Sequence, residues 1–198
     1  MAAPAAACAA CGGVRHYSPS MAHLSPAPLA IGDSVMMGAI EPLRRAGFEI
    51  DVRGCRQMSE GLGVLSRRKS AGTLPDVVVV ALGYNWTVST PDIRRAMRIL
   101  GPRRLLGLVT PRGAMASARA SIRAAGRRWP DRVKVLDWAA RSAGKAWTWD
   151  GLHLTPAGAR GFTRLLSEAN SWPLPGDTSE FEEDPSEGGP GGGAIAPP

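Results

Sequence analysis

Short apolar runs alternate with segments of helical periodicity through the middle of the chain. The strongest run, Val77–Leu82, has no polar alternation, which is typical of a strand buried on both faces of a parallel sheet. Five runs predict β-strands: Leu29–Ile31, Glu49–Val52, Val77–Leu82, Leu105–Val109 and Val133–Leu136. The helical segments between and after them are Val35–Ala46, Ser59–Arg68, Pro91–Leu100, Ala116–Arg128 and Pro156–Asn170.

The order of these segments determines the fold class that we predict. Two helices begin with a Thr-Pro pair, in which the threonine caps the helix and the proline fits its first position. Five consecutive β-α units imply right-handed crossovers and a parallel sheet covered by helices on both faces. We therefore predict an α/β fold, a three-layer α/β/α sandwich whose flavodoxin-like, five-stranded parallel sheet has the strand order 2-1-3-4-5.

The two ends of the chain lack this pattern. We predict a disordered Ala/Pro-rich leader at residues 1–27, one domain at 28–173, and a disordered acidic Gly/Pro-rich tail at 174–198. No apolar stretch approaches the roughly 20 residues of a membrane helix, and no positive charge precedes the apolar start as in a signal peptide. As written, the sequence predicts a cytoplasmic monomer without a membrane span, and Met21 is an alternative start to Met1.

The charge is unevenly distributed along the chain. Six of the 17 acidic residues lie after residue 176, so residues 1–176 hold all 24 basic residues against 11 acidic ones. Such a surface would attract nucleic acid or another polyanion. However, the basic residues are spread over every segment, which indicates a general bias in amino-acid composition and not a localised binding surface. We expect no nucleic-acid partner and keep a polyanion-binding module as an alternative.

The cysteines are too few for a disulfide framework. Cys8 and Cys11 form a C-x-x-C followed by His16 and His23, but this spacing does not match a zinc finger. We therefore expect neither a metal nor a cofactor.

Two motifs follow strands directly, and ligands of such sheets bind beyond the carboxyl ends of the strands. Ser34 ends a Gly-Asp-Ser motif after the first strand, where a tight turn would expose its hydroxyl at a helix start. Asn85 ends a Gly-Tyr-Asn motif after the third strand, where its amide could stabilise an oxyanion. Taken singly, each motif is also an ordinary helix cap or turn.

A third motif, Asp-Gly-Leu-His, lies before the last helix. Its short loop lets the carboxylate of Asp150 reach one imidazole nitrogen of His153 while the other faces a nucleophile. The other two histidines belong to the predicted leader, so His153 is the only histidine of the predicted domain. Since a serine nucleophile needs a base near neutrality, we predict a catalytic triad of Ser34, His153 and Asp150.

The three motifs in this order resemble the SGNH or GDSL hydrolases, and in particular the extracytoplasmic catalytic domains of peptidoglycan O-acetyltransferases and their standalone relatives. The resemblance rests on residues 30–36, 56–57 and 149–156 and spans about residues 29–170. It implies that Ser34 attacks an acyl carbon, that His153 takes its proton and that Asp150 orients the imidazolium. It also implies an extracytoplasmic location as an alternative.

The resemblance further implies an oxyanion hole made of the Ser34 N–H, the Asn85 amide and one N–H before an Arg-Gln pair. Counting back from Arg-Gln gives Cys55, whereas looking for a glycine gives Gly54; we favour Cys55, because only its backbone is needed. A redox or nucleophilic role for the Cys55 thiol is a weaker alternative. We expect Arg56 and Trp86 to contact substrate.

The resulting prediction is a serine esterase that hydrolyses short-chain acyl esters, notably O-acetyl esters of a carbohydrate, through an acyl-enzyme. One alternative is transfer of the same acyl group to a sugar hydroxyl with the same triad. The other, from a different class, is a basic polyanion-binding module on an inactive hydrolase fold.

Overall fold

The computed structural model describes residues 11–21 and 24–175. The predicted acidic tail falls largely outside these residues, as do Cys8 and His23. The strands are β1 (Arg15–Tyr17), β2 (Leu29–Gly32), β3 (Glu49–Val52), β4 (Val77–Ala81), β5 (Leu105–Val109) and β6 (Val133–Leu136). The α-helices are α1 (Ser34–Met37), α2 (Ile40–Arg45), α3 (Met58–Ser70), α4 (Thr90–Leu100), α5 (Ala116–Arg128), α6 (Trp138–Arg141) and α7 (Pro156–Leu166), followed by a 3-10 turn at Ser167–Ser171.

The predicted fold class is confirmed. Five parallel strands lie in the order β3-β2-β4-β5-β6, which is the order expected from the sequence. Alternate residues of β4 enter different cores, Val78 and Val80 on one face and Val79 and Ala81 on the other. Helices α3, α4 and α5 pack on the first face, and α1, α2, α6 and α7 pack on the second. This arrangement explains why β4 is continuously apolar.

A sixth strand, which the sequence analysis did not predict, extends the sheet. Strand β1 pairs antiparallel with β3, with His16 opposite Asp51. The prediction of a disordered leader is therefore wrong for residues 15–17. A three-residue strand of sequence Arg-His-Tyr carries no detectable hydrophobic alternation, and its order comes from pairing with the edge of β3.

The predicted helix Val35–Ala46 is divided into α1 and α2 by a break at Gly38 and Ala39. Pro42 explains the break, because in a continuous helix its ring would clash with the carbonyl four residues earlier. In the observed arrangement Pro42 lies in the first turn of α2, where a proline is tolerated. Within the described ranges, no helix is long and apolar enough to cross a membrane.

Candidate active site

Ser34, His153 and Asp150 come together at the carboxyl edge of the sheet. Ser34 opens α1 directly after β2. Its Oγ lies 3.1 Å from Nε2 of His153, although the two residues are 119 positions apart. On the other side of the imidazole, Nδ1 lies 2.8 Å from Oδ2 of Asp150. The three side chains thus form one line of hydrogen bonds.

The loop that carries Asp150 and His153 is held by its own backbone. Oδ1 of Asp150 accepts the N–H of Leu152 at 2.9 Å and the N–H of His153 at 2.8 Å. The β-bridge between Thr148 and Leu154 closes the base of the loop. The carboxylate and the imidazole are therefore oriented before any substrate arrives.

These contacts also set the charge of Asp150. The hydrogen bond from His153, followed by the two backbone N–H groups, holds the pKa of the Asp150 carboxyl well below its usual range. An ionised carboxylate can only accept hydrogen bonds, so Nδ1 of His153 must carry a proton. In the neutral imidazole, Nε2 is then the acceptor that faces the Ser34 hydroxyl.

Asn85 reaches the same place from the end of β4. Its Nδ2 donates to Oδ2 of Asp33 at 3.2 Å and lies 3.5 Å from the backbone oxygen of Arg56. Gly83 allows this turn because its φ of 123° is in a region that favours glycine, and a Cβ there would press on Pro111. The amide of Asn85 is thereby brought next to the residue that precedes Ser34.

Asp33 is a site residue that the sequence analysis treated only as part of a motif. It is fully buried, and its Oδ1 accepts the Val35 N–H at 3.0 Å as the N-cap of α1. Burial raises the pKa of its carboxyl to about 6, although hydrogen bonds from Val35 and Asn85 work in the opposite direction. The sequence signal was its place between a buried strand and a short helix, which is also that of an ordinary cap.

The loop after β3 holds the two residues proposed for the remaining oxyanion N–H. Gly54 is buried, and a Cβ at this position would collide with the backbone carbonyl of Cys11. Cys55 is exposed and has a left-handed φ of 55°, which is uncommon for a residue other than glycine. The left-handed backbone at Cys55 matches the position where the resemblance leads one to expect glycine.

Cys55 forms a disulfide with Cys11, with their Cα atoms 5.3 Å apart. The alternative of a free reactive thiol at Cys55 is therefore wrong. The disulfide also argues against the zinc site considered from the sequence, because the Cys11 sulfur is not available as a thiolate ligand. His16, another residue of that site, lies 3.1 Å from Asp51.

The expectation that Arg56 contacts substrate is also wrong. Its side chain is buried, with 1% of the residue exposed. The guanidinium forms an ion pair with Asp51 and donates to the backbone oxygens of Asp51 at 2.6 Å and Gly32 at 3.3 Å. Arg56 therefore connects the ends of β2 and β3 beneath the site, a role that its neighbourhood in the sequence did not reveal.

The surface around the site is open and partly aromatic. Trp86 follows Asn85 and is 68% exposed, and Trp149 precedes Asp150 and is 77% exposed. Arg112, which the sequence analysis did not single out, donates to the Thr148 hydroxyl at 3.0 Å. Both tryptophans are next in sequence to a candidate site residue, and both present most of their surface to solvent.

Comparison with known proteins gives relatives of one kind. Peptidoglycan O-acetyltransferase OatA of Listeria monocytogenes is 31% identical over 146 residues, or 70% of this chain. YrhL of Bacillus subtilis is 29% identical over 147 residues, or 71% of this chain. The chain spans 23% of the length of each of these relatives. No family model matches the sequence.

The fold has a counterpart among solved structures. The C-terminal catalytic domain of Streptococcus pneumoniae peptidoglycan O-acetyltransferase A, solved with a methylsulfonyl adduct, superposes with a TM-score of 0.59 at 21% identity. The match covers 75% of this chain and 96% of that domain. These relatives and the shared SGNH-like α/β fold confirm the resemblance that the three motifs predicted, to the SGNH/GDSL proteins and to the catalytic domains of peptidoglycan O-acetyltransferases in particular.

Proposed function

We propose that this chain is a serine-dependent O-acetyltransferase that acts on a cell-wall glycan through an acetyl-enzyme. The observation that carries the proposal is the line of hydrogen bonds from Ser34 Oγ through His153 to Asp150, with separations of 3.1 and 2.8 Å. This geometry lets a serine hydroxyl lose its proton to an imidazole as it attacks.

In the first half of the reaction the Ser34 oxygen attacks the acetyl carbon of the donor ester. A C–O bond forms, the hydroxyl proton moves to Nε2 of His153, and the carbonyl electron pair moves onto oxygen. As the tetrahedral intermediate collapses, the donor C–O bond breaks and the leaving oxygen takes the proton from His153. The ionised Asp150 stabilises the imidazolium between these steps.

In the second half an acceptor hydroxyl gives its proton to His153 and attacks the acetyl carbon. The Ser34 C–O bond then breaks, and the proton returns to Ser34. A sugar hydroxyl as acceptor makes the reaction a transfer, whereas water makes it a hydrolysis. The chemistry at Ser34 is the same in both cases.

We assign three hydrogen-bond donors to the oxyanion that the reaction would form. The Ser34 N–H lies at the start of a helix, where backbone N–H groups lack helical acceptors. The Asn85 amide is held beside it through Asp33. We assign the third donor to the Cys55 N–H rather than to Gly54, because Gly54 packs against Cys11 while Cys55 is exposed in a glycine-like conformation.

The proposed substrate class follows from the rim and the relatives. Exposed Trp86 and Trp149 can stack on sugar rings, and Arg112 adds a cation near the loop of His153. The named relatives are peptidoglycan O-acetyltransferases, which favours transfer to a glycan. Hydrolysis is the second candidate, since His153 is 44% exposed and water can reach it.

We propose a location outside the cytoplasm for this reaction. Disulfides persist in oxidising compartments and are rare in the cytosol, so the bond between Cys11 and Cys55 supports such a location. This proposal replaces the cytoplasmic prediction from the sequence.

Ester turnover and serine labelling test the catalytic proposal together. The purified protein should release p-nitrophenol from p-nitrophenyl acetate, and a sulfonyl fluoride should modify Ser34, as shown by peptide mass spectrometry. Ser34→Ala and His153→Ala should each remove most of the turnover, by a factor on the order of 10⁴ or more, and the double variant should be little worse than either. Near-normal turnover by Ser34→Ala would disprove the assignment.

Product analysis then separates the two enzymatic functions from the binding module. Addition of a muropeptide or chitooligosaccharide should yield an O-acetylated sugar if the enzyme is a transferase, and only acetate if it is an esterase. A polyanion-binding module would show salt-dependent binding with neither labelling nor turnover.

A further inference from the structure

We infer that the disulfide between Cys11 and Cys55 and strand β1 position the oxyanion loop, residues 54–57, for catalysis. This inference rests on the proposed function, because the loop matters for rate only if it stabilises an oxyanion. Cys11 and strand β1 are therefore positioning elements, and neither touches the reacting atoms.

The first observation is that the segment before β2 contacts the oxyanion loop twice at adjacent residues. The disulfide joins Cys11 to Cys55. One residue earlier, Gly54 lies so close to the backbone carbonyl of Cys11 that no side chain fits between them. Cys55 itself is in a left-handed conformation, which costs a residue with a side chain about 1–2 kcal/mol. External contacts are needed to maintain this backbone.

The second observation is that β1 also contacts the same region through side chains. His16 lies 3.1 Å from Asp51, which is almost fully buried. Asp51 pairs in turn with the guanidinium of Arg56, within the oxyanion loop. Asp51 is common to both pairs and lies opposite His16 in the pairing of β1 with β3.

The third observation is that this network continues to the candidate catalytic residues. Arg56 donates to the backbone oxygen of Gly32, two residues before Ser34. The backbone oxygen of Arg56 lies 3.5 Å from Nδ2 of Asn85. The oxyanion loop therefore touches both the segment that carries the nucleophile and the side chain proposed as an oxyanion donor.

The physical consequence is a selective effect on the transition state. Without the disulfide, Cys55 can leave its left-handed conformation, and its N–H then no longer points to the developing oxyanion. A misplacement of about 1 Å at a catalytic group can cost up to about 100-fold in rate. The rim tryptophans belong to other segments, so the apparent affinity for substrate should change little.

The test compares kcat and KM for p-nitrophenyl acetate in the unmodified full chain and in three altered forms of it. The control is Cys8→Ser, which keeps the Cys11–Cys55 bond. The test variant is Cys8→Ser with Cys11→Ser, in which Cys8 cannot replace Cys11 as the partner of Cys55. The third form is the control protein after treatment with dithiothreitol. The reagent reduces the Cys11–Cys55 bond to two thiols and is itself oxidised to a cyclic disulfide.

We expect the control to match the unmodified chain, and we expect the variant and the reduced protein to lose kcat by roughly tenfold or more with KM within about twofold. Reoxidation should restore kcat. Equal kcat in all forms would overturn the inference while leaving the proposed function intact. Loss of the whole fold on reduction, seen by circular dichroism, would also overturn the inference, because the disulfide would then stabilise the entire domain and not this loop in particular.

Hydrogen–deuterium exchange gives a readout that needs no substrate. Peptides covering residues 53–58 should exchange faster in the reduced protein, while peptides from β4 and β5 should be unchanged. If the unmodified chain shows no Ser34-dependent turnover, the proposed function fails, and the exchange result still decides whether the disulfide orders this loop. Unchanged exchange at residues 53–58 would overturn the inference.

Discussion

Asp33 lies between two residues on which the proposed reaction depends. It precedes Ser34 in the chain, and its carboxylate accepts a hydrogen bond from Asn85. The amide nitrogen of Asn85 also donates a long hydrogen bond of 3.5 Å to the backbone oxygen of Arg56, so its two hydrogens have two partners that together fix the orientation of the amide. Burial of this carboxylate is electrostatically unfavourable, and the hydrogen bonds that it accepts from Val35 and Asn85 offset part of that cost.

Replacement of Asn85 tests the amide directly. Asn85→Ala should lower kcat by roughly 10²–10³ with little change in KM, because the amide is needed mainly as charge develops on the carbonyl oxygen. Thr87→Ala is a matched control on the same turn, where the hydroxyl faces Ser117 instead of the site. Steady-state kinetics with an acetyl ester measures both, and an unchanged kcat for Asn85→Ala would leave this motif as a turn.

The pKa of Asp33 leads to a prediction about stability and pH. Since burial raises this pKa to about 6, the folded state binds a proton more tightly than the unfolded chain. The resulting contribution to stability is full at low pH and is lost as the pH rises through about 6. Asp33→Asn removes this dependence. The free energy of unfolding of the variant minus that of the unmodified chain should therefore be about 1 kcal/mol larger at about pH 8 than at about pH 5.

Asp137→Asn is the control for this measurement. The pKa of Asp137 is lowered, by hydrogen bonds from Arg123 and Thr110 that outweigh desolvation, so its effect should be constant over the same pH range. Urea unfolding at the two pH values gives both differences. A difference for Asp33→Asn that does not change with pH would mean that Asp33 stays ionised in the folded protein.

Short motifs were enough to indicate most of the candidate site, because Ser34, Asn85 and His153 each follow a strand end or precede a helix start. Contacts between distant segments were not readable in the same way. Arg56 and Asp51 look like surface residues in sequence, yet they form a buried pair. The partner of Cys55 could not be identified either, because Cys11 lies 44 positions away in a segment without a hydrophobic pattern.

At the scale of elements, the prediction succeeded where a segment forms its contacts locally. The apolar runs located the parallel strands, and the Thr-Pro pairs located the starts of helices α4 and α7. Thr155 caps α7 as predicted, whereas the cap of α4 is Ser89 and not Thr90. It failed for α1 and α2, because Pro42 divides the predicted single helix into two. It also failed for β1, whose order depends on an edge that forms only in the folded sheet.

A truncation measures what β1 contributes. Deletion of residues 1–18 removes β1 and Cys11 and exposes the edge of β3. Closing a loop with a separation of 44 residues is worth about 4 kcal/mol in the chain-entropy model, so Tm should fall by roughly 10 °C. Deletion of residues 1–10 retains both features and is the matched control. Equal Tm values for the two truncations would show that the edge strand adds no stability.

At the scale of the whole molecule, the sheet presents its candidate catalytic residues on an open surface. Four strands, β3 to β6, and their crossover helices account for most of the chain between Ser34 and His153, and the connections after β3, β4 and β5 are short. The side chains of Asp150 and His153 are 55% and 44% exposed. An arrangement of this kind gives a large acceptor access to an acyl-enzyme but offers a long acyl chain little apolar surface.

This openness predicts how the rate depends on acyl length. A buried tunnel would gain about 0.8 kcal/mol for each CH₂ that it removes from water, so longer esters would bind better. Beside an open rim of Trp86 and Trp149, extra methylenes stay in water and hinder approach to Ser34. We therefore expect kcat/KM to fall steadily from acetyl to octanoyl p-nitrophenyl esters, by more than about tenfold overall. Equal or faster turnover of the octanoyl ester would reveal an apolar pocket and would favour a lipase or thioesterase over an enzyme of carbohydrate acetylation.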